Sequence, residues 1–318
     1  MREHALTMSL AEAMVNVTEL AAIATHSQIG RGHEKRADQA AVDAMRTALN
    51  AVEMRGRIVI GEGERDEAPM LYIGEEVGLG QGPEIDIALD PLEGTSLTAK
   101  AMPNALAVLA ISERGGLLNA PDVYMDKIAI GPGYPEGLVD LQATPSENVT
   151  ALAKAKGVPV TEISVCVLDR QRHAGIIEDL RRIGARIALI TDGDVAGVIN
   201  TTDAATGIDL YLGQGGAPEG VLAAAALKCV GGQMQGRLYF RNDDERGRAL
   251  KVGITDLERI YTLNELASGD TIFCATGVTT GDLLGGVRIE QGQARTETLV
   301  MSSRHGVSRR IQTRRRGY

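Results

Sequence analysis

The chain has 318 residues, of which 44% are hydrophobic and 24% charged, and its formal net charge is −9 at pH 7. These values are typical of a folded protein long enough for two domains. The negative charge argues against nucleic acid as the main partner, because binding a phosphate backbone requires a basic surface. No run of 18 apolar residues is present and the N-terminus has no secretory pattern, so neither a membrane span nor export is predicted. Three cysteines without paired spacing favour reduced thiols in a cytoplasm.

The first half of the sequence predicts helices followed by short strands. Apolar residues at spacings of three and four predict helices over 9–28, 35–52 and 69–77. Short apolar runs predict strands over 57–60, 85–90, 105–112 and 127–130. Pro91 is expected to end the strand at 85–90 at once, because proline cannot donate to a strand ladder. Gly94 is then expected to open a helix.

From about residue 150, short apolar strands alternate with amphipathic helices, a pattern that predicts a parallel or mixed sheet. The strands are predicted over 163–169, 186–192 and 208–213, and the helices over 174–183, 194–200 and 219–230. The change of pattern near residue 150 therefore predicts two domains, of which the second has the alternating strands and helices. The basic segment at 303–318 is expected to be a solvated or oligomer-contacting tail, with a polyanion-binding site as the alternative.

Acidic residues next to glycines or at the ends of predicted elements form the main chemical signal. Hard divalent cations prefer carboxylate oxygens that converge from different loops, so this pattern favours a site for two Mn²⁺ or Mg²⁺ ions. The acidic residues concerned are Asp38, Glu62, Glu64, Asp66, Glu67, Asp90, Glu93 and Glu219.

Several other chemistries are disfavoured by specific residues. A dinucleotide-binding loop would need a third glycine where Pro83 or Pro218 stands, and no phosphate-binding P-loop motif is present. The five histidines have no spacing suited to zinc, and no G-x-S-x-G element indicates a serine nucleophile.

The segment D-P-L-E-G-T at 90–95 resembles the D-P-[IL]-[DE]-G-[ST] element of the lithium-sensitive, metal-dependent phosphatase superfamily. More specifically, the sequence resembles bacterial class II fructose-1,6-bisphosphatases, collinearly from about residue 10 to residue 311. The matching segments lie at 30–32, 37–42, 58–75, 104–110, 118–127, 192–194, 215–220 and 275–284. Two places depart from the family pattern: Lys35 is displaced by one position, and Arg170-Gln171-Arg172-His173 replaces K-P-R-H.

This resemblance implies a layered αβαβα sandwich, with an α+β domain over 1–155 that binds metal and phosphate and an α/β domain over 156–318 that binds a sugar. It also implies a homodimer or homotetramer. It implies metal-dependent hydrolysis of the 1-phosphate of fructose 1,6-bisphosphate, in gluconeogenesis or the Calvin cycle. A sedoheptulose-1,7-bisphosphatase or a dual enzyme is the alternative, because both substrates present the same 1-phosphate end. A catalytically silent sugar-phosphate sensor is the alternative outside enzymes.

The resemblance also implies roles for individual residues. The first metal site is expected at Asp38 and Glu62, and the second at Asp90, Glu93 and Glu219. Thr95 is expected to orient the attacking water, in a loop with Glu93 and Gly94 that meets both substrate and metal, and Asp66 is an acid important for activity. Residues expected to hold the sugar and its distal phosphate are Tyr124, Arg170, Arg172, Asp192, Gly193, Asp194 and Gly216.

Overall fold

A computed structural model describes residues 5–63 and 70–318. The helices are α1 Met8–Thr25, α2 Glu34–Leu49, α3 Thr95–Ala99, α4 Pro145–Lys156, α5 Ala174–Arg182, α6 Asp194–Ile199, α7 Ala217–Val230, α8 Asp243–Lys251 and α9 Leu263–Leu266. The strands are β1 Arg55–Ile60, β2 Glu76–Val77, β3 Glu84–Glu93, β4 Leu106–Glu113, β5 Tyr124–Ile130, β6 Ser164–Leu168, β7 Arg186–Ile190, β8 Leu210–Gly216, β9 Gln233–Tyr239, β10 Ile260–Thr262, β11 Thr271–Gly277, β12 Arg288–Glu290, β13 Gln293–Ser302 and β14 Val307–Arg316. Within these described ranges, no helix is both long and apolar enough to cross a membrane.

The chain forms two compact units, and the first is built from two separate segments, Met1–Asn119 and Ala267–Tyr318. Its sheet has the order β12-β13-β11-β4-β3-β1-β2, and β14 also pairs with β13. Strands β1 and β3 are parallel, whereas β3, β4, β11 and β13 follow one another antiparallel. Helices α1 and α2 pack on this sheet through an aliphatic core that includes Met14, Met45 and Ile87. Because the chain has few aromatic residues, this core consists mainly of Ala, Leu, Ile, Val and Met side chains.

The second unit is the continuous segment Ala120–Leu266. Its sheet has the order β10-β9-β5-β8-β6-β7, in which β6 is parallel to β7 and β8, and β5 is antiparallel to β8 and β9. A separate aliphatic core, with Ile128, Val165 and Leu210 among its members, holds this unit together. The α/β class predicted from the sequence is confirmed, since each unit combines a mixed sheet with packed helices. The predicted boundary at 155/156 falls inside the second unit, because β5 lies between β8 and β9.

Two local predictions around the 60–95 region are wrong. Over the described part of 69–77 the chain is not helical, and Glu76–Val77 instead pairs with β1 as a short strand. The positive φ angles of Leu71 (54°) and Gly74 (91°) are incompatible with an α-helix there. Pro91 does not end its strand either: β3 continues to Glu93 through an irregularity between Asp90 and Glu93. Proline is tolerated at such a bulge because no ladder hydrogen bond is required of it.

The basic C-terminal segment is part of the sheet rather than a solvated tail. Strand β14 pairs with β13 in an unbroken antiparallel register from Val307 to Arg316. Arg315 is ion-paired with Glu19 of α1, a carboxylate that is only 1% exposed, and its guanidinium also donates to Asn16 Oδ1 at 2.7 Å. The prediction missed this strand because its charges mask the apolar alternation, which rests on Val307 and Ile311 alone.

Candidate active site

Four of the predicted carboxylates lie in or directly after elements of the first unit. Asp38 is the fifth residue of α2 and lies on the same face of the helix as the buried Ala41, Val42 and Met45. Glu62 comes two residues after the end of β1. The Glu62 amide donates to the Leu71 carbonyl at 3.0 Å, which fixes the chain as it leaves the strand. Asp90 and Glu93 lie at the end of β3, the parallel neighbour of β1. Because parallel strands end at the same edge of a sheet, Glu62 and Asp90 project from neighbouring positions.

The electrostatics of this group indicate that the carboxylates are close enough to repel one another. Burial first, and then the negative charges of Asp38 and Asp90, raise the pKa of Glu62 to about 8. Burial also raises the pKa of Asp38. Half-buried carboxylates that oppose each other's ionisation are the donor set expected of a divalent-cation site, since a bound cation offsets both desolvation and repulsion. These residues therefore fit the implied metal.

The corner after β3 brings two more groups into place. Carboxylate oxygens of Asp90 and Glu93 lie within 4.8 Å of each other, and the Glu93 side chain is buried. Asp90 Oδ1 accepts the Leu92 N–H at 3.0 Å, which stabilises the irregular end of the strand. Gly94 has φ +84°, and a Cβ there would lie 2.8 Å from Leu97 Cδ1. Only glycine suits this turn, which starts α3 at Thr95 and leaves that hydroxyl-bearing side chain half-buried.

In the second unit, the junction of β8 and α7 holds Glu219 and Gly216. Gly216 precedes α7, and a Cβ on it would lie 1.9 Å from Glu219 Oε2, so the carboxylate packs directly against the glycine backbone. The Gly216 carbonyl accepts a hydrogen bond from Lys127 Nζ at 2.8 Å. Lys127 is itself buried and ion-paired with Asp194, which also accepts from the Tyr211 hydroxyl at 3.3 Å. Asp194 thus braces the Gly216 backbone through Lys127.

Arginines and a tyrosine lie beside the same strand end. Tyr124 is the cross-strand neighbour of Gly216. The Arg172 guanidinium lies 4.9 Å from the centre of the Tyr124 ring, and it donates to the Gln214 carbonyl from Nε at 3.2 Å and from Nη2 at 2.8 Å. Arg170 donates to the Asp169 carbonyl at 3.1 Å. These contacts place cationic donors next to a ring and a glycine backbone, an arrangement suited to a phosphorylated sugar.

His173 is a buried residue that holds this strand end in place through both of its ring nitrogens. It is 1% exposed; Nδ1 bonds to the Leu168 carbonyl at 2.6 Å, and Nε2 accepts the Gln214 N–H at 2.9 Å. Burial is the main cause of its lowered pKa, and the charges of Arg172 and Arg170 lower the pKa further. His173 is therefore neutral, and its ring holds Gln214, the residue that accepts from Arg172.

The remaining predicted residues have simpler surroundings. The Gly193 N–H donates to Asp192 Oδ1 at 3.2 Å, and Gly193 precedes α6 in a left-handed conformation. Asp66 lies outside the described residues. Sequence reasoning did not single out Lys127 or Arg241, which contacts Tyr124. Neither stands in a motif with its partners, because Asp194 of α6 and Tyr124 of β5 approach them only through tertiary contacts.

An α/β fold with opposed carboxylates in one unit and an arginine-lined strand end in the other defines a metal-dependent phosphatase. The chain belongs to the bacterial, glpX-encoded fructose-1,6-bisphosphatase family, whose model matches residues 8–315. A protein of Synechococcus sp. strain JA-3-3Ab, named D-fructose 1,6-bisphosphatase class 2/sedoheptulose 1,7-bisphosphatase, is 48% identical over 94% of this chain and 93% of its own length. A Synechococcus elongatus protein of the same name is 46% identical over 94% of both chains.

Proposed function

We propose that this protein hydrolyses the 1-phosphate of fructose 1,6-bisphosphate, giving fructose 6-phosphate and phosphate. The observation that carries the proposal is the group formed by Asp38, Glu62 and Asp90, whose mutual repulsion suits a divalent cation. Membership of the fructose-bisphosphatase family supplies the substrate class. Sedoheptulose 1,7-bisphosphate is the second proposed substrate, because the relatives above carry both activities in their names.

In this proposal the carboxylates hold Mn²⁺ or Mg²⁺, with Asp38 and Glu62 in one ligand set and Asp90, Glu93 and Glu219 in the other. A bound divalent cation in such a site lowers the pKa of water and stabilises negative charge on phosphoryl oxygens.

The residues outside the metal ligands have separate roles. The Thr95 hydroxyl orients the water that attacks the phosphorus atom, and Gly94 lets the backbone approach the phosphate closely. Tyr124, Arg170, Arg172 and Gly216 hold the sugar with its distal phosphate. We further propose a cytoplasmic homodimer or homotetramer.

The direct test is phosphate release from fructose 1,6-bisphosphate, sedoheptulose 1,7-bisphosphate and inositol 1-phosphate, each with Mn²⁺, Mg²⁺ or a chelator. We expect release from at least the fructose substrate, dependent on the cation and abolished by the chelator. Release from inositol 1-phosphate alone would contradict the proposal. Sugar-phosphate binding without any release would favour the catalytically silent sensor.

The role of Thr95 is tested by replacing its hydroxyl with a methyl group of the same shape. Thr95→Val should lower kcat at least about a hundredfold, the usual scale for removing one key catalytic group, without lowering the melting temperature. Thr95→Ser keeps the hydroxyl and serves as the matched control. Equal activity of the two variants would remove Thr95 from the mechanism.

A further inference from the structure

Two arginine guanidinium groups lie over the Tyr124 ring, and the resemblance to known phosphatases accounts for only one of them. Arg172 lies 4.9 Å from the centre of the Tyr124 ring, and Arg241 lies 4.7 Å from the same centre. Arg241 reaches the ring from the loop that follows β9, the strand paired with β5 on the side opposite Gly216. The ring is thus shared by cations delivered from two different elements.

The position of Arg241 is fixed by a buried carboxylate. Glu245 is 1% exposed and accepts from Arg241 twice, from the backbone N–H at 2.7 Å and from Nε at 2.6 Å. Glu245 is held in turn because its own N–H donates at 2.9 Å to Asn242, the N-cap of α8. A guanidinium fixed in this way loses little further conformational entropy on binding a ligand.

The guanidinium of Arg241 keeps binding capacity after these contacts. Its side chain is 51% exposed, although Nε and Nη2 are directed to Glu245. Arginine has five N–H donors in a planar fork, so Nη1 remains for an oxyanion. Asp122 and Glu245 are the acidic groups that act on Arg241 electrostatically, and the buried Glu245 serves as its structural counter-ion.

We propose that Arg241 is a phosphate-binding residue that contacts, together with Arg172 and beside Tyr124, the distal phosphate of the sugar bisphosphate. This inference rests on the proposed function, and it adds a specificity determinant to it. Arg241 binds the phosphate that stays on the product, so it sets the preference for bisphosphates over 1-monophosphates rather than the rate of phosphoryl transfer.

The test compares Arg241→Gln and Arg241→Lys with a matched control elsewhere in the same unit. Arg259 stacks on Tyr261 at 5.2 Å and is ion-paired with Glu265 at 2.5 Å, which reproduces the Arg–Tyr–Glu arrangement away from the predicted site residues. Arg259→Gln therefore reports what the loss of such a contact costs in general. Phosphate release is measured with fructose 1,6-bisphosphate and with fructose 1-phosphate, which lacks the distal phosphate.

Arg241→Gln should raise KM for the bisphosphate roughly ten- to a hundredfold, the scale of one hydrogen bond to a charged group, with little change in kcat. Its kcat/KM for fructose 1-phosphate should match the wild type. Arg241→Lys should lie between the two, because lysine keeps the charge and a partner for Glu245 but not the stacking plane. Kinetics like those of Arg259→Gln, or equal losses on both substrates, would overturn the inference.

A binding measurement separates this inference from the proposed function. Fructose 6-phosphate, which carries the distal phosphate and needs no turnover, is titrated calorimetrically into the wild type and each variant. Weaker binding to Arg241→Gln alone supports the inference even if no bisphosphate is hydrolysed, in which case only the proposed reaction fails. Unchanged binding to Arg241→Gln overturns the inference whatever the wild-type activity.

Discussion

Glu62 shows how a side chain suited to binding a cation can lower the stability of the metal-free protein. Its pKa is raised from 4.5 to about 8, mainly by burial and then by the charges of Asp38 and Asp90. The folded state therefore holds a proton on Glu62 that the unfolded state releases near pH 4.5. Stability from this group is intact below pH 4.5, falls as the pH rises towards 8 and is level above that. Without a bound metal, Glu62 therefore lowers the free energy of unfolding at neutral pH.

We therefore expect Glu62→Gln to stabilise the metal-free protein at alkaline pH. Glutamine keeps the shape without the charge, so the free energy of unfolding should exceed that of the wild type by up to a few kcal/mol at pH 8.5, since one pKa unit corresponds to about 1.4 kcal/mol. The difference should shrink towards pH 5. Urea unfolding in the presence of a chelator measures this gap, and Glu76→Gln, at an exposed position, is the control. A gap that is constant with pH would contradict this account.

At the scale of an element, strand β14 also owes part of its stability to how a buried carboxylate is compensated. Its arginines suggest a solvated tail, but Arg315 reaches the buried carboxylate of Glu19 on α1 and so ties the strand to the core. A carboxylate with this burial is costly unless a cation and hydrogen bonds compensate it; here Thr296 also donates to it, at 3.1 Å. The strand therefore contributes charge compensation as well as backbone pairing.

Arg315→Gln should destabilise the protein by about 3 kcal/mol, because it leaves Glu19 buried without its counter-charge. Arg316→Gln, at the exposed neighbouring position, should change the free energy of unfolding by less than about 0.5 kcal/mol. The double variant Glu19→Gln/Arg315→Gln should recover part of the loss, since it removes both charges together. Denaturant unfolding distinguishes these variants. Similar free energies of unfolding for Arg315→Gln and Arg316→Gln would show that Arg315 does not tie β14 to the core through Glu19.

The elements that sequence alone predicted well are those with a clear period and clear ends. Helices α1 and α2 and the alternating strands and helices predicted between residues 163 and 230 agree with the structure to within a few residues. The helix predicted at 69–77 failed because apolar spacing there serves a turn anchored by Leu71, whose amide donates to the buried Glu75. Local composition cannot reveal such a contact, and it could not reveal the bulge that accommodates Pro91.

The same distinction applies to the candidate site, where some residues could be predicted from local sequence and others could not. Carboxylates beside glycines could be picked out because their chemistry is local, and Glu62 and Asp90 do lie at adjacent strand ends. Arg241 and Lys127 could not be found, because their roles depend on Tyr124 and Asp194, which the fold brings to them from distant parts of the chain. Residues that position others through tertiary contacts leave no spacing to detect.

At the scale of the whole molecule, the sequence predicts two consecutive domains, whereas the first compact unit is discontinuous. Strand β11, more than 150 residues after β4, pairs with it antiparallel from Thr271 to Gly277 and lies between β4 and β13. Such non-local pairing cannot be inferred from hydrophobic periodicity, which reports only on neighbours along the chain.

This organisation predicts which fragments fold. Residues 120–266 contain a complete sheet and their own aliphatic core, so this fragment should unfold cooperatively by circular dichroism. Residues 156–318 lack β5, which pairs with β8 on one side and β9 on the other, so this fragment should not. Residues 1–119 should also fail, because β4 loses its partner β11 and exposes a long apolar edge. A cooperative transition in 156–318 but not in 120–266 would contradict this division and support the two consecutive domains predicted from the sequence.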